Sequence, residues 1–243
     1  MMNFPGDYQM GHGLETYIRD AAEMLFDLGS ECENTKPING NKMIFPLKKQ
    51  PQKNKVKRVS EQELRQCFIE VIKGSEFFYS VETPTIFKYR KTGSIEKSGN
   101  LDLCLYSIEN SEIVREVCIE FKAHNMEASY YFDLYKTTRE SGNNLYYHLL
   151  SSMNNGTLTA STSKRTGLLV KLQQDLRSLN INNIHSESLT IAIVCMSPRL
   201  VIYQSISKDN LQKRNYSLVD FTYRVERKQL EIIDNNNWSV LIK

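Results

Sequence analysis

The sequence predicts an α/β fold, a mixed β-sheet with helices on both faces. Three observations predict it. Residues 60–72 carry an amphipathic helix with its own start signal. Residues 100–108 and 112–123 are two apolar strands separated by a short polar segment. Residues 189–196, LTIAIVCM, are an unbroken apolar run between polar residues, the pattern of a strand buried on both faces. A chain of 243 residues suits one large domain, or one domain with an appendage. Its 40% hydrophobic and 24% charged content excludes general disorder.

The elements follow in order. Leu14, Ile18, Ala21, Ala22, Leu25 and Phe26 recur at helical spacing over 13–29, with Gly29 as a stop. Residues 30–58 contain Pro37, Pro46 and Pro51 and read as a long connection, with one short strand at Ile44 and Phe45. Ser60 is an N-cap, and Glu63 three residues later completes a capping box. Leu64, Phe68, Val71 and Ile72 then form the buried stripe, and Gly74 ends the helix. FFYSVET (77–83) reads as a strand closed by Pro84. The strands 100–108 and 112–123 form a hairpin across Glu109–Ser111. Helices are expected over 126–140, 143–153 and 163–179, and strands at 189–196 and 199–206. Further strands are expected near 217–226, 229–233 and 238–242.

Charge and cysteine usage narrow the class. The net charge of +3 is small, but Lys48, Lys49, Lys53, Lys55, Lys57 and Arg58 form a run with no acid among them. Such a run can pair with phosphates through counterion release, or serve as a solvated linker. The five cysteines form no CxxC pair, which points to a reducing, cytoplasmic setting and no zinc cage. No apolar run reaches the ~18 residues of a membrane span, and the first residues lack a signal-peptide pattern. No GxGxxG, P-loop or GxSxG is present, which disfavours nucleotide-driven and serine-hydrolase chemistry.

The chemistry is concentrated in SGNLDLCLYSIENSEIVREVCIEFKAHN, residues 98–125. Asp102 sits early in one strand, and Glu120 and Lys122 sit near the end of the next. Glu120 and Lys122 are i and i+2, so they leave the same face of the sheet about 6.6 Å apart along the strand. In an antiparallel hairpin the start of one strand lies beside the end of its partner, so Asp102 and Glu120 are expected as neighbours. Two adjacent carboxylates repel, and burying each costs several kcal/mol unless it is paired or bound to metal. Hard oxygen ligands of this kind select Mg²⁺ or Mn²⁺. A lysine beside them can neutralise developing charge or position water, which together describes a phosphodiester hydrolysis site.

This pattern resembles the PD-(D/E)xK nuclease superfamily, with Asp102, then Glu120-Phe121-Lys122 after an apolar strand, then a helix. Leu101 stands where that family often has proline. The resemblance implies a restriction-endonuclease-like core over 60–206, preceded by an N-terminal helix and basic linker (1–59) and followed by a C-terminal β extension (207–243). It implies metal held by Asp102, Glu120 and the Phe121 carbonyl, and a further glutamate from the helix 60–72. That helix resembles the opening helix of resolvase-like members, and on that comparison Glu61 is the best match; it also shares a helical face with Leu64 and Phe68. Glu63, engaged in capping, is second and Glu70 third. The implied activity is a Mg²⁺-dependent nuclease, foremost a DNA endonuclease, with a homodimer as a plausible assembly. Alternatives are a catalytically silent module that binds nucleic acid or protein, and an RNase-type defence effector.

Other residues have bland and sharp readings side by side. His124 can face a phosphate or end a strand, and Lys136 can touch phosphate or pair with Asp133 at i,i+3. Tyr130, Tyr131, Phe132, Tyr135, Tyr146 and Tyr147 can stack on bases or fill a core. Lys164 and Arg165 are expected at a helix start, and His12, His148 and His185 as ordinary polar residues. A second E-x-K triplet, Glu226-Arg227-Lys228, is set aside because Asp220 lies on what reads as the same strand and no helix follows.

Overall fold

The computed structural model describes residues 10–31, 47–50, 53–57, 59–89, 97–124, 129–162, 165–226 and 229–242. The first half runs α1 (Met10–Glu31), β1 (Leu47–Gln50), β2 (Lys53–Lys57), α2 (Glu61–Ile72), β3 (Phe78–Tyr89), β4 (Lys97–Glu109) and β5 (Glu112–Ala123). Then come α3 (Tyr131–Arg139), β6 (Asn143–Leu150), β7 (Ser161–Thr162), β8 (Arg165–Thr166), α4 (Leu168–Ser178), β9 (Ser188–Cys195) and β10 (Leu200–Ser207). The described chain closes with α5 (Lys208–Lys213), β11 (Thr222–Glu226), β12 (Gln229–Asp234) and β13 (Ser239–Ile242). Seven strands form one mixed sheet in the order β13-β10-β9-β6-β5-β4-β3. The β5–β6 and β6–β9 pairs are parallel and the others antiparallel. The expected α/β class therefore holds, as does the covering of both sheet faces.

Each face has its own core. Ile18, Ala21, Ala22, Leu25 and Phe26 of α1 and Leu64, Cys67 and Phe68 of α2 bury against Leu103, Ile119, Phe121 and Tyr147. Complete burial of each large side chain here stabilises by about 1.5–3 kcal/mol. On the opposite face Leu134 of α3 and Leu168, Leu169, Leu172 and Leu176 of α4 pack on Tyr146, Ile191 and Ile193. Residues on either side of the expected 60–206 core pack with it: α1 shares the first core, and β13 pairs with β10.

The β4–β5 hairpin sets the register of the chemistry. Asn110 and Ser111 both have positive φ, 49° and 69°, as a two-residue type I′ turn requires. Near the turn Ile108 faces Ile113 and Tyr106 faces Arg115, whereas beyond a one-residue irregularity Leu105 faces Val117 and Leu103 faces Ile119. Had the turn register continued, Asp102 would oppose Ile119. The extra residue at Glu116 flips the outer half of β5, so that Glu120 shares the face of Asp102. Gly142, between α3 and β6, has φ +98°, and a Cβ there would stand 2.3 Å from the Glu116 carbonyl oxygen, so only glycine admits this approach.

Several expectations are corrected. Residues 143–150 are strand β6 in the centre of the sheet, not part of a helix over 143–153. Seven of its eight residues are buried, because neighbouring strands flank it and helices cover both its faces. Helix α4 begins at Leu168, and the β7–β8 ribbon precedes it, so Arg165 belongs to a strand rather than a helix start. Strand β3 runs through Pro84 to Tyr89, which the sheet tolerates because β3 is its edge and the register shifts between Pro84 and Lys88. Gly29 lies inside α1, and α5 was not anticipated. Part of the basic run, expected within a long connection, forms the β1–β2 ribbon. Ile44, Phe45, Arg58, Lys164, Arg227 and Lys228 lie outside the described residues.

Candidate active site

Asp102, Glu120 and Lys122 come together at the open end of the β4–β5 pair. The last paired residues of that ladder are Leu103 and Ile119, so Asp102 and Glu120 occupy the next opposed positions. There the Asp102 side chain replaces the backbone ladder: the Phe121 amide donates to Asp102 Oδ2 at 2.7 Å. Lys122 projects on the same face, and its Nζ lies 3.4 Å from Asp133 Oδ2 on α3. Lys136, one turn further along α3, places Nζ 2.5 Å from Glu120 Oε1 and 3.6 Å from Asp133 Oδ1. The same ammonium donates to the Asn100 carbonyl at 2.8 Å.

Helix α2 supplies a further acid. Glu61 is partly buried, and its carboxyl is raised in pKa by burial and by Asp102 against the pull of Lys122. Of the three candidate helix carboxylates it is the one whose charge is coupled to Lys122 and Asp102. Glu63 accepts from the Ser60 amide at 2.7 Å and from the Ser60 hydroxyl, as a capping residue does. Glu70 is exposed and paired with Lys73.

Burial and crowding dominate the electrostatics. Glu120 is 1% exposed. Burial first, then Asp102 and Asp133, push its carboxyl up to about 8 despite the ammonium of Lys136. Burial also raises Asp102, against the stabilising Phe121 amide and the two lysines. Burial works against the Lys122 ammonium, but Asp133, Glu120, Asp102 and Glu61 outweigh it and hold its pKa above the ordinary value. The cluster thus sets four carboxylates against two ammonium groups.

A pH dependence follows. A carboxyl whose folded pKa is raised contributes stability that is complete below its unfolded value and is lost as pH rises through the folded one. For Glu120 that window runs from 4.5 to about 8, at roughly 1.4 kcal/mol per unit of difference. Asp102 and Glu61 act in the same direction. In metal-free buffer the melting temperature is therefore expected to fall between pH 5 and pH 8, and Glu120→Gln to flatten that slope. A wild-type slope retained in Glu120→Gln would locate the titration elsewhere.

Surrounding polar residues hold α3 in place. Asp175 of α4 accepts from the Tyr130 amide at 2.7 Å at the helix start. Asn144, fully buried on β6, accepts from the Cys118 amide at 2.9 Å and donates to the Thr137 and Glu140 carbonyls at 2.6 and 2.8 Å. Glu140, also fully buried, ion-pairs with Arg115 at 2.9 Å. It also accepts from the Ile86 amide at 3.1 Å and the Tyr89 hydroxyl at 3.2 Å. Asp175, Asn144 and Glu140 were not singled out from the sequence. A short Gly142 connection between helix and strand was the available signal that α3 would be tied closely to β5.

The remaining candidates resolve individually. His124 is not turned to the site: its Nε2 meets the Val59 carbonyl at 2.6 Å and its Nδ1 accepts from the Ser151 amide at 3.0 Å. His148 faces Lys122 across the β5–β6 register, fully buried, and burial holds its pKa down at about 3, so it is neutral. His185 stacks on Phe87. Tyr130, Tyr146 and Tyr147 are core residues, while Phe132 is exposed and Tyr131 and Tyr135 half-buried. The His12 side chain lies outside the described residues.

The donor chemistry suits a hard divalent cation, with opposed carboxylates and an excess of acids over ammonium groups. Among the described residues no three Asp, Glu, His or Cys side chains group closely enough to hold an ion. Lys136 supplies the positive charge at Glu120 instead. No described helix is long and apolar enough to cross a membrane. Comparison of the chain with protein-family models, curated proteins and solved structures finds no match.

Proposed function

We propose that the protein is a metal-dependent nuclease, foremost a DNA endonuclease, with a PD-(D/E)xK-type site on a restriction-endonuclease-like core. One observation carries the reading: the hairpin irregularity at Glu116 puts Asp102 and Glu120 on one face, with Lys122 beside them. The succession of α2, the antiparallel β3–β5, α3 and the parallel β6 supports it as well. Asp102, Glu120, the Phe121 carbonyl and, from α2, Glu61 would hold Mg²⁺ or Mn²⁺. Such an ion would supply Lewis-acid chemistry, polarisation of a phosphoryl group and a more acidic water. The Lys122 ammonium, held charged by its carboxylate neighbours, orients the attacking water and offsets charge developing on the phosphoryl oxygens. Lys136 balances Glu120 and fixes its orientation from α3.

A second reading is a nucleic-acid-binding module with a silent site, and the Lys136–Glu120 pair favours it, since an ammonium there can replace the metal. One assay separates the two. Purified protein is incubated with supercoiled plasmid, and separately with RNA, in Mn²⁺, in Mg²⁺ and in chelator. Metal-dependent conversion to nicked or linear plasmid is the expected result. Retarded plasmid without nicks would establish the silent module, and cleavage confined to RNA would make the enzyme a ribonuclease.

A further inference from the structure

The sheet face that carries Asp102 and Glu120 also carries two thiols that the proposed reaction does not use. Cys104 and Cys118 oppose one another directly in the β4–β5 register, the next pair inward from the carboxylates on that face. Both are fully buried, and their sulfurs are 3.9 Å apart. The Cys118 amide donates to Asn144 Oδ1 of β6 and so points away from β4. This makes Cys104 and Cys118 a non-hydrogen-bonded pair, the kind whose Cα atoms stand closest, at about 4.5 Å. Disulfides span Cα separations of roughly 4.4–6.8 Å, so the backbone already lies within range. Closing the sulfurs by about 2 Å needs side-chain rotation rather than movement of a strand. Tyr106, which packs against the pair, is itself only half-buried, so the thiols lie one side chain below the surface. Of the other described cysteines, Cys67 lies in the α1–α2 core and Cys195 in the opposite one.

We propose that Cys104 and Cys118 are an oxidation site, closing reversibly into a cross-strand disulfide when the protein meets a peroxide. One sulfur attacks a peroxide oxygen, the O–O bond breaks, water leaves, and that cysteine becomes a sulfenic acid. The second sulfur then attacks the first, the hydroxyl leaves as water, and the S–S bond forms. Two thiols give up two electrons and two protons, and one hydrogen peroxide becomes two waters. The bond covalently closes the hairpin that presents Asp102 and Glu120, and its formation does not depend on the nuclease reading.

The test uses the intact folded protein. It is treated with hydrogen peroxide, checked by circular dichroism, alkylated and digested with trypsin, which cuts between the two cysteines at Arg115. Residues 98–115 and 116–122 are expected to emerge as one linked species, about 2 Da lighter than the sum of its parts, and dithiothreitol should separate them. Recovery of both peptides singly, at peroxide doses that already oxidise methionines, would overturn the proposal. Linkage of either cysteine to a different partner would do the same.

Discussion

Lys122→Ala is expected to reduce metal-dependent plasmid nicking by at least about 10²–10³-fold, the loss typical when one preorganised electrostatic group leaves an active site. The fold should persist. Lys122 is 30% exposed, and its ion-pair partner Asp133 keeps Lys136 at 3.6 Å. Asp102→Asn is the companion test, because it removes the charge yet leaves an oxygen to accept from the Phe121 amide. It should lose activity to a similar degree at a melting temperature no lower than that of the wild type, since the ionised carboxyl is disfavoured by burial. Initial nicking rates in Mn²⁺ at equal protein concentration, read beside thermal melts, decide the matter. Wild-type rates in both variants would sink the assignment of this cluster.

The two lysines are chemically similar but structurally unlike, and the distinction shapes the reading of the site. Lys136 is 10% exposed and is fixed by Glu120 and the Asn100 carbonyl. It is committed to neutralising a buried acid, as a burial penalty of several kcal/mol requires. Lys122 retains solvent access and a looser partner. An ammonium that must meet a water or phosphate has to be the freer of the two, which favours Lys122 over Lys136 for the catalytic part in the proposed site.

Local signals made much of this arrangement legible. The capping residues Ser60 and Glu63, the polar break at Glu109–Ser111 and the apolar run 189–196 act over a few residues and led to α2, the β4–β5 hairpin and β9. The same rule for doubly buried strands, applied to LYYHLL at 145–150, would have found β6. It was masked because these residues are not β-branched and follow directly on a helix. Asn144 and His148, i and i+4, mimic a helical polar stripe, whereas in β6 they are alternate residues of one strand face. The choice of Glu61 rests on the family resemblance of its helix, with helical phase in support, and its carboxyl feels the charges of Lys122 and Asp102. The partner of Lys136 was out of reach, since Asp133 is its sequence neighbour and Glu120 meets it only through tertiary packing. The extra residue at Glu116 leaves no compositional trace, yet it determines which side chain Asp102 faces.

Glu140→Ala is expected to destabilise the protein by about 3–5 kcal/mol, the range for removing one partner of a buried ion pair. Glu140 has no exposed surface, and its carboxylate gathers three groups from two strands: Arg115 of β5, and the Ile86 amide and Tyr89 hydroxyl of β3. Strand β3 leaves its ladder between Pro84 and Lys88, so the Ile86 amide finds in Glu140 the acceptor that β4 does not supply there. Alanine would strand that amide and a guanidinium that is 17% exposed. At 243 residues, each kcal/mol corresponds to roughly 2–4 °C, so a fall in melting temperature on the order of 10 °C should be measured. Glu140→Gln keeps an acceptor oxygen and should fall less. Because Glu140 ends α3, the loss should also loosen the helix that aims Lys136 at Glu120. A change smaller than about 1 kcal/mol in Glu140→Ala, below the cost of a single unsatisfied buried donor, would show that β3 and β5 are held together by something other than this carboxylate.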